Sequence, residues 1–226
     1  INKKLTIEKI SVESIAKKYG TPAYCYSYNK LRENIDNFKK IFKSFSPLIC
    51  FAIKSNTNTN LIRVIKKFGL GADVVSMGEL MMAVKAGINP KKIVFSGVGK
   101  TFEEINYAIN KNILLINAES ESEIKQIEKI AKSKKKRIRI GIRLNPNTDA
   151  KTLSQISTGK KENKFGVNNK TFIKLVNFCK KSKNLELKCL SVHIGSQILD
   201  FKPYEKMLKE ISKVLKKVDH KFEFID

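Results

Sequence analysis

The stretch Leu48-Ile49-Cys50-Phe51-Ala52-Ile53-Lys54-Ser55-Asn56, followed by Leu61, Val64, Ile65 and Phe68 and then by Gly69, reads as one strand and one helix joined in a single unit. The apolar run from Leu48 to Ile53 has the length and β-branched content of a buried strand. Apolar residues at i, i+3, i+4 and i+7 give a helix one buried face, and a glycine just past it supplies the left-handed stop. Lys54 stands where the strand leaves the core, so its stem is expected to be desolvated and its amine partly so. Desolvation disfavours the ammonium form, and a neutral amine can attack a carbonyl to form a Schiff base.

The unit recurs. Strand candidates start near Leu48, Asp73, Lys92, Ile113, Arg137, Cys189 and Phe222, the first five spaced by about 20–25 residues, one β-α unit each. The helices between them carry start signals. Ser76-Met77-Gly78-Glu79 reads as a capping box, with Leu80, Ala83 and Val84 as the buried face and Gly87 as the stop. Thr101-Phe102-Glu103-Glu104 caps a helix that buries Ile105, Ala108 and Ile109. Ser120-Glu121-Ser122-Glu123 caps one that buries Ile124, Ile127 and Ala131. Repeated units with continuously apolar strands make an α/β fold, a parallel sheet covered by helices.

Two architectures compete, an open doubly wound sheet and a closed (β/α)8 TIM barrel. The dinucleotide pattern G-x-G-x-x-G is absent, and Gly97-Val98-Gly99 lacks its third glycine. Polar residues fall at the C-terminal ends of many strands: Lys54, Ser76, Ser96, Asn117, Arg143 with Asn145, and His193. A barrel gathers all those ends on one face, whereas an open sheet concentrates its polar residues at one switch point. A full barrel takes roughly 250 residues and eight units. The seventh strand candidate, Phe222-Glu223-Phe224-Ile225-Asp226, is the last, so residues 1–226 read as one barrel domain incomplete on its C-terminal side. Pro146 to Val167 is polar and rich in Gly, Asn and Lys. Long loops of this kind inside a compact domain usually serve as lids or binding segments.

Composition bounds the rest. Hydrophobic residues make up 42% of the 226, enough for a globular core. No stretch approaches the roughly 20 apolar residues of a membrane span. The N-terminus lacks the apolar region of a secretory signal, and Ile1 in place of an initiator methionine suggests a trimmed or partial sequence. The net charge of +24, from 45 Lys and Arg against 21 Asp and Glu, raises a nucleic-acid or anionic partner. The lysines are spread along the chain, there is no Trp, and no aromatic-basic interleaving is present, so a solvated lysine-rich surface is preferred and neither nucleic acid nor membrane is expected. Cys25, Cys50, Cys179 and Cys189 form no C-x-x-C pair. They read as buried free thiols in a cytoplasmic protein, with no metal site.

Five motifs occur in order: Phe51-Ala52-Ile53-Lys54-Ser55-Asn56; Ala72-Asp73-Val74-Val75-Ser76-Met77-Gly78-Glu79-Leu80; Arg143-Leu144-Asn145-Pro146; Ile156-Ser157-Thr158-Gly159-Lys160-Lys161-Glu162-Asn163-Lys164-Phe165-Gly166-Val167; and His193-Ile194-Gly195-Ser196-Gln197. With these the chain resembles, over nearly its whole length, the pyridoxal-phosphate decarboxylases with an alanine-racemase-like barrel. Within that group it resembles the diaminopimelate decarboxylases. The lysine and H-I-G-S-Q motifs mark the broad group, and the S-T-G-K-K-E-N-K-F-G segment is the more specific.

The resemblance implies pyridoxal 5′-phosphate as cofactor, an amino-acid substrate, and decarboxylation of meso-2,6-diaminopimelate to L-lysine by a full-length homodimer. It implies that Lys54 forms the Schiff base with the cofactor's aldehyde and that His193 lies against the pyridine ring. Ser196 would hydrogen-bond near the phosphate and Arg143 would approach the phenolic oxygen side. Asp73 and Glu79 would orient these groups from behind. Other readings stay open. Glu79 also completes a helix cap, Asp73 could accept a loop hydrogen bond, and Arg143 belongs to an alternating run of cations that could face solvent. His193 alone could be a core histidine, and His220 reads as surface. The family usually carries a histidine near Leu153. Its glycine-rich phosphate loop, the acid that pairs with the pyridine nitrogen, and its C-terminal β-domain would lie beyond Asp226, so residues 1–226 alone are expected to be inactive. A related decarboxylase of carboxynorspermidine or ornithine, and a non-catalytic basic binding module, are the alternatives.

Overall fold

The computed structural model describes residues 4–150, 158–159 and 165–226. The chain divides into two compact units, one ending at Leu48 and the other starting at Ile49. In the first, strands β1 (Thr6–Ile7) and β2 (Ile10–Ser11) pair antiparallel and lead into helices α1 (Val12–Tyr19) and α2 (Tyr28–Ile41). Ser11 and Ser27 cap these helices with their hydroxyls. Ile35 is the buried hydrophobic residue of this unit.

The second unit holds a seven-stranded sheet in the order β3-β4-β5-β6-β7-β8-β9, every neighbouring pair parallel. The strands are β3 (Cys50–Ala52), β4 (Gly71–Val74), β5 (Ile93–Phe95), β6 (Leu115–Ala118), β7 (Ile138–Arg143), β8 (Leu185–Ser191) and β9 (Phe224–Ile225). Helices α3 (Thr59–Lys67), α4 (Met77–Lys85), α5 (Phe102–Lys111), α6 (Glu121–Ser133), α7 (Asn169–Lys181) and α8 (Lys202–Leu215) connect them. Spatial order equal to chain order, with no reversal, belongs to a barrel; a doubly wound sheet reverses at its switch point. The fold is an incomplete (β/α)8 barrel.

Side chains alternate across each strand, and this builds the site. Ile53, Val74, Phe95, Ile116, Ile142 and Leu190 pack with the helices in the main core. The opposite face carries a smaller cluster of Val94, Leu115 and Cys189, flanked by Cys50 and Phe224. Continued toward the C-terminal ends, that same face reaches Asp73, Ser96, Asn117, Arg143, Ser191, His193 and Asp226.

One strand keeps this phase only through an irregularity. In β8, Leu185 and Leu187 belong to the helix-side core, yet so does Leu190. The register slips here: Ile140 pairs with Leu187, but Gly141 pairs with Cys189. The extra residue, Lys188, is a bulge that turns Cys189, Ser191 and His193 to the inner face.

The helix starts follow the sequence signals, with two changes. Thr101 and Glu104 form the full reciprocal box. Ser76 and Ser120 accept from the amides of Glu79 and Glu123, but the two carboxylates reach one residue further back, to the amides of Val75 and Glu119. In α3 the buried positions are Ile62 and Ile65, with Leu61, Val64 and Phe68 half-buried. All four cysteines are free, but only Cys179 and Cys189 are buried; Cys50 is half-buried, and Cys25 is exposed, since it lies in a segment that packs into no core. His220 is not a surface residue: its Nε2 lies 2.9 Å from the Leu187 carbonyl and its ring meets Phe222 edge-on. No helix among the described residues is long and apolar enough to cross a membrane.

Candidate active site

The strand ends surround a cavity of about 460 Å³. Lys54, Asp73, Arg143, His193 and Ser196 line it, with Ser96, Thr158, Phe165, Ser191 and Asp226. Glu79 lies outside the lining and holds the start of α4 through Val75 N at 2.9 Å.

Lys54 differs from the sequence expectation. Ile53 is fully buried, but the chain then enters a single 3-10 turn, Ile53–Ser55, and Lys54 is exposed. Its amine belongs to the open side of the cavity rather than to the core.

Asp73 is the most perturbed carboxyl that lines the cavity. Burial pushes its pKa up to about 6, the Asp226 carboxylate adds to this, and a hydrogen bond from Ser96 and the Lys54 charge act against it. Below the cavity floor, Asn117 is fully buried. Its Nδ2 donates to Asp226 Oδ2 at 2.7 Å and to Ser96 Oγ at 3.3 Å, while Ser191 Oγ donates to the same Asp226 oxygen at 3.0 Å. Asn117 Oδ1 has no partner among the described residues. It sits over Gly141, where a Cβ would come within 2.0 Å of it.

His193 keeps part of its surface exposed, yet it titrates below its usual range because the surrounding protein partly desolvates its ring and because it faces the Arg143 and Lys54 charges; Asp226 and Glu119 oppose the shift. Thr158 Oγ1 donates to the His193 carbonyl at 2.7 Å and lies 2.9 Å from Nδ1. With its proton on the carbonyl, the hydroxyl offers Nδ1 only lone pairs. That selects the Nδ1–H form of a neutral ring and leaves Nε2 as the acceptor.

Arg143 is not a solvent-facing member of an alternating run; it is 8% exposed. Its Nη1 pairs with Glu119 Oε1 at 2.7 Å, its guanidinium stacks on Phe165 at 4.8 Å, and Nη2 reaches the His193 carbonyl at 3.4 Å. Arg139, two residues earlier, is exposed and pairs with Glu186.

An amine, an imidazole, a fixed guanidinium, serine hydroxyls and two carboxylates around one cavity suit an anionic aldehyde with a ring nitrogen. The sequence pattern of the family described as "Pyridoxal-dependent decarboxylase, pyridoxal binding domain" matches residues 28–224. The chain belongs to this decarboxylase family. A diaminopimelate decarboxylase of Helicobacter pylori is 47% identical over 204 residues, which cover 90% of this chain and 50% of that protein. The enzyme of the same name from Aquifex aeolicus is 42% identical over 207 residues, covering 92% and 49%. The crystal structure of diaminopimelate decarboxylase from Helicobacter pylori complexed with L-lysine superposes with a TM-score of 0.88 at 45% identity, covering 91% of this chain and 52% of that one. The chain spans about half the length of the curated relatives it matches.

Within this pyridoxal-dependent decarboxylase domain, the residues that sequence reading passed over are Glu119, Ser191 and Asp226 as lining or support, and the contact of Thr158 with His193. Glu119 had a signal. It follows Asn117 by two in the strand alternation and directly precedes the Ser120 cap, so an acid there must face the barrel mouth. Leu153 and most of the S-T-G-K-K-E-N-K-F-G segment lie outside the described residues.

Proposed function

We propose that this chain forms the cofactor-binding barrel of a pyridoxal 5′-phosphate-dependent decarboxylase that converts meso-2,6-diaminopimelate to L-lysine and CO2. The observation that carries the reading is the gathering of Lys54, Arg143, His193 and Ser196 on one cavity at the strands' C-terminal ends, in a chain whose relatives at 40–47% identity bear that activity in their names. The cofactor, when bound, supplies the electron sink for the carbanion left by loss of CO2.

The chain's own residues do the rest. Lys54 would hold the cofactor covalently, and its exposed position gives it access to the aldehyde. His193, kept neutral by partial desolvation and neighbouring cations, would lie against the ring without adding charge to it. Ser196 would bond near the phosphate, and Arg143 would stand on the phenolic oxygen side. Asp73, with Glu79 behind it, would complete the orientation. Asn117, fully buried on the inner face, would hold the Asp226 carboxylate in place beneath the ring. The full-length protein is proposed to be a cytoplasmic homodimer.

The test uses full-length protein. Wild type is expected to show the absorbance of bound pyridoxal phosphate and to release CO2 from diaminopimelate. Lys54→Ala is expected to lose both, and retention of the covalent band in that variant would refute the assignment. Release from ornithine or carboxynorspermidine but not from diaminopimelate would give the activity to a sister enzyme.

A further inference from the structure

We propose that Glu119 is the positioning residue of this site, setting the Arg143 guanidinium and tying two loop walls of the cavity together with the same carboxylate. The proposal rests on the cofactor-site reading above and goes beyond it, because Glu119 does not line the cavity.

The Glu119 side chain is almost fully buried, and three segments donate to it. Oε1 accepts from Arg143 Nη1 at 2.7 Å, at the end of β7, and from the amide of Gly97 at 3.1 Å, in the loop after β5. Oε2 accepts from the amide of Gly166 at 3.0 Å, where the long loop returns. Gly97 and Phe165, the residue before Gly166, both line the cavity. Phe165 also stacks on the guanidinium that Glu119 holds. Gly166 has φ +70°, and a Cβ there would come within 2.8 Å of the Arg143 carbonyl, so the approach of this loop to β7 requires glycine.

Glu119 is itself held. Its amide donates to Glu123 Oε2 at 3.0 Å, and Glu123 Oε1 pairs with Lys100 at 2.7 Å, with both side chains buried. Lys100 Nζ also donates to the carbonyls of Gly97 at 2.6 Å and Asn117 at 2.7 Å. Gly97 is thus gripped through its amide by Glu119 and through its carbonyl by Lys100. A buried carboxylate satisfied by charged and backbone donors is rigid, and it passes that rigidity to the arginine.

The charges supply a readout that a merely structural pair would not move. Arg143 holds the His193 pKa down and Glu119 holds it up. Glu119→Gln keeps the shape and removes the anion. In full-length protein labelled at histidine, with the His193 signal assigned by its loss in His193→Asn, Glu119→Gln is expected to move the His193 titration to lower pH. Affinity for pyridoxal phosphate, followed by absorbance, is expected to fall about tenfold, the low end of what losing a partner that orients a ligand-holding side chain costs. Glu119→Asp keeps the charge and is expected to restore the titration. An unchanged titration, with affinity within about twofold in folded Glu119→Gln, would overturn the proposal.

If that variant does not fold, amide hydrogen exchange on the unaltered protein decides. The Gly97 and Gly166 amides are expected to be protected although both lie in loops, and exchange at free-loop rates would sink the idea. Failure of wild type to bind pyridoxal phosphate would instead remove the cofactor reading, and would leave the titration and exchange results to judge Glu119 alone.

Discussion

Asp73 shows what the barrel mouth asks of one residue. Its carboxyl is pushed from 3.8 up to about 6, first by burial and then by Asp226. A carboxyl whose folded pKa lies above its unfolded value is destabilising when ionised. The cost is absent below about pH 4, grows between 4 and 6, and is complete above 6. Asp73→Asn is therefore expected to raise unfolding stability by about 1–3 kcal/mol at pH 7.5 and to leave it unchanged near pH 4. Urea denaturation at the two pH values checks this, and an equal effect at both would show that the Asp73 charge is not what the site strains against. The identity of Asp73 was legible in its motif. Its environment was not, because that depends on Asp226, far along the chain, and on a Ser96 hydroxyl from another strand.

At the scale of elements, strand phase decides which side chains meet. Asn117 and Gly141 are paired neighbours on β6 and β7, and the Asn117 amide fills the space that a Cβ on residue 141 would occupy. Gly141→Ala is expected to cost about 2–4 kcal/mol through overpacking. Adding Asn117→Ala is expected to recover most of that loss, a coupling that a double-mutant cycle in thermal or urea unfolding measures. Additive losses would mean that the strain lies at the Cys189 Cβ, 3.0 Å from the same position, and not at Asn117. The strand-helix alternation was legible because each strand is apolar and each helix carries a cap and a glycine stop. The first half of β8 was not. Leu185 and Leu187 alternate in one phase, Cys189 and Ser191 in the other, and the bulge at Lys188 that reconciles them leaves no mark in a pattern search of period two. The sequence reading accordingly starts that strand at Cys189, whereas it begins at Leu185. The reach of the Glu79 and Glu123 carboxylates past their caps to Val75 and Glu119 was hidden for a related reason: the capping signature names the residue types and leaves the recipient amide open.

The whole molecule carries a charge that neither its fold nor its site explains. With +24 over 226 residues, cations outnumber acids on helices α1, α2, α3, α7 and α8, and only some of these cations have acidic partners. Such a surface repels itself, and the repulsion acts on the compact state more than on the expanded one. Salt shortens the Debye length from about 30 Å at 0.01 M to about 8 Å at 0.15 M, so it screens the diffuse repulsion between distant lysines before it weakens ion pairs in contact at 3 Å. The buried Lys100–Glu123 and Arg143–Glu119 pairs are shielded from that screening. Melting temperature is therefore expected to rise by a few degrees as NaCl goes from about 0.01 to 0.3 M, with most of the gain below about 0.15 M. Thermal unfolding followed by circular dichroism across that series checks it. A melting temperature that falls with salt would mean that surface ion pairs outweigh the repulsion, and that the lysines are arranged rather than merely dispersed. A mobility shift with duplex DNA that survives 0.2 M salt would point the same way, since dispersed charge releases nonspecific nucleic acid as counterions return.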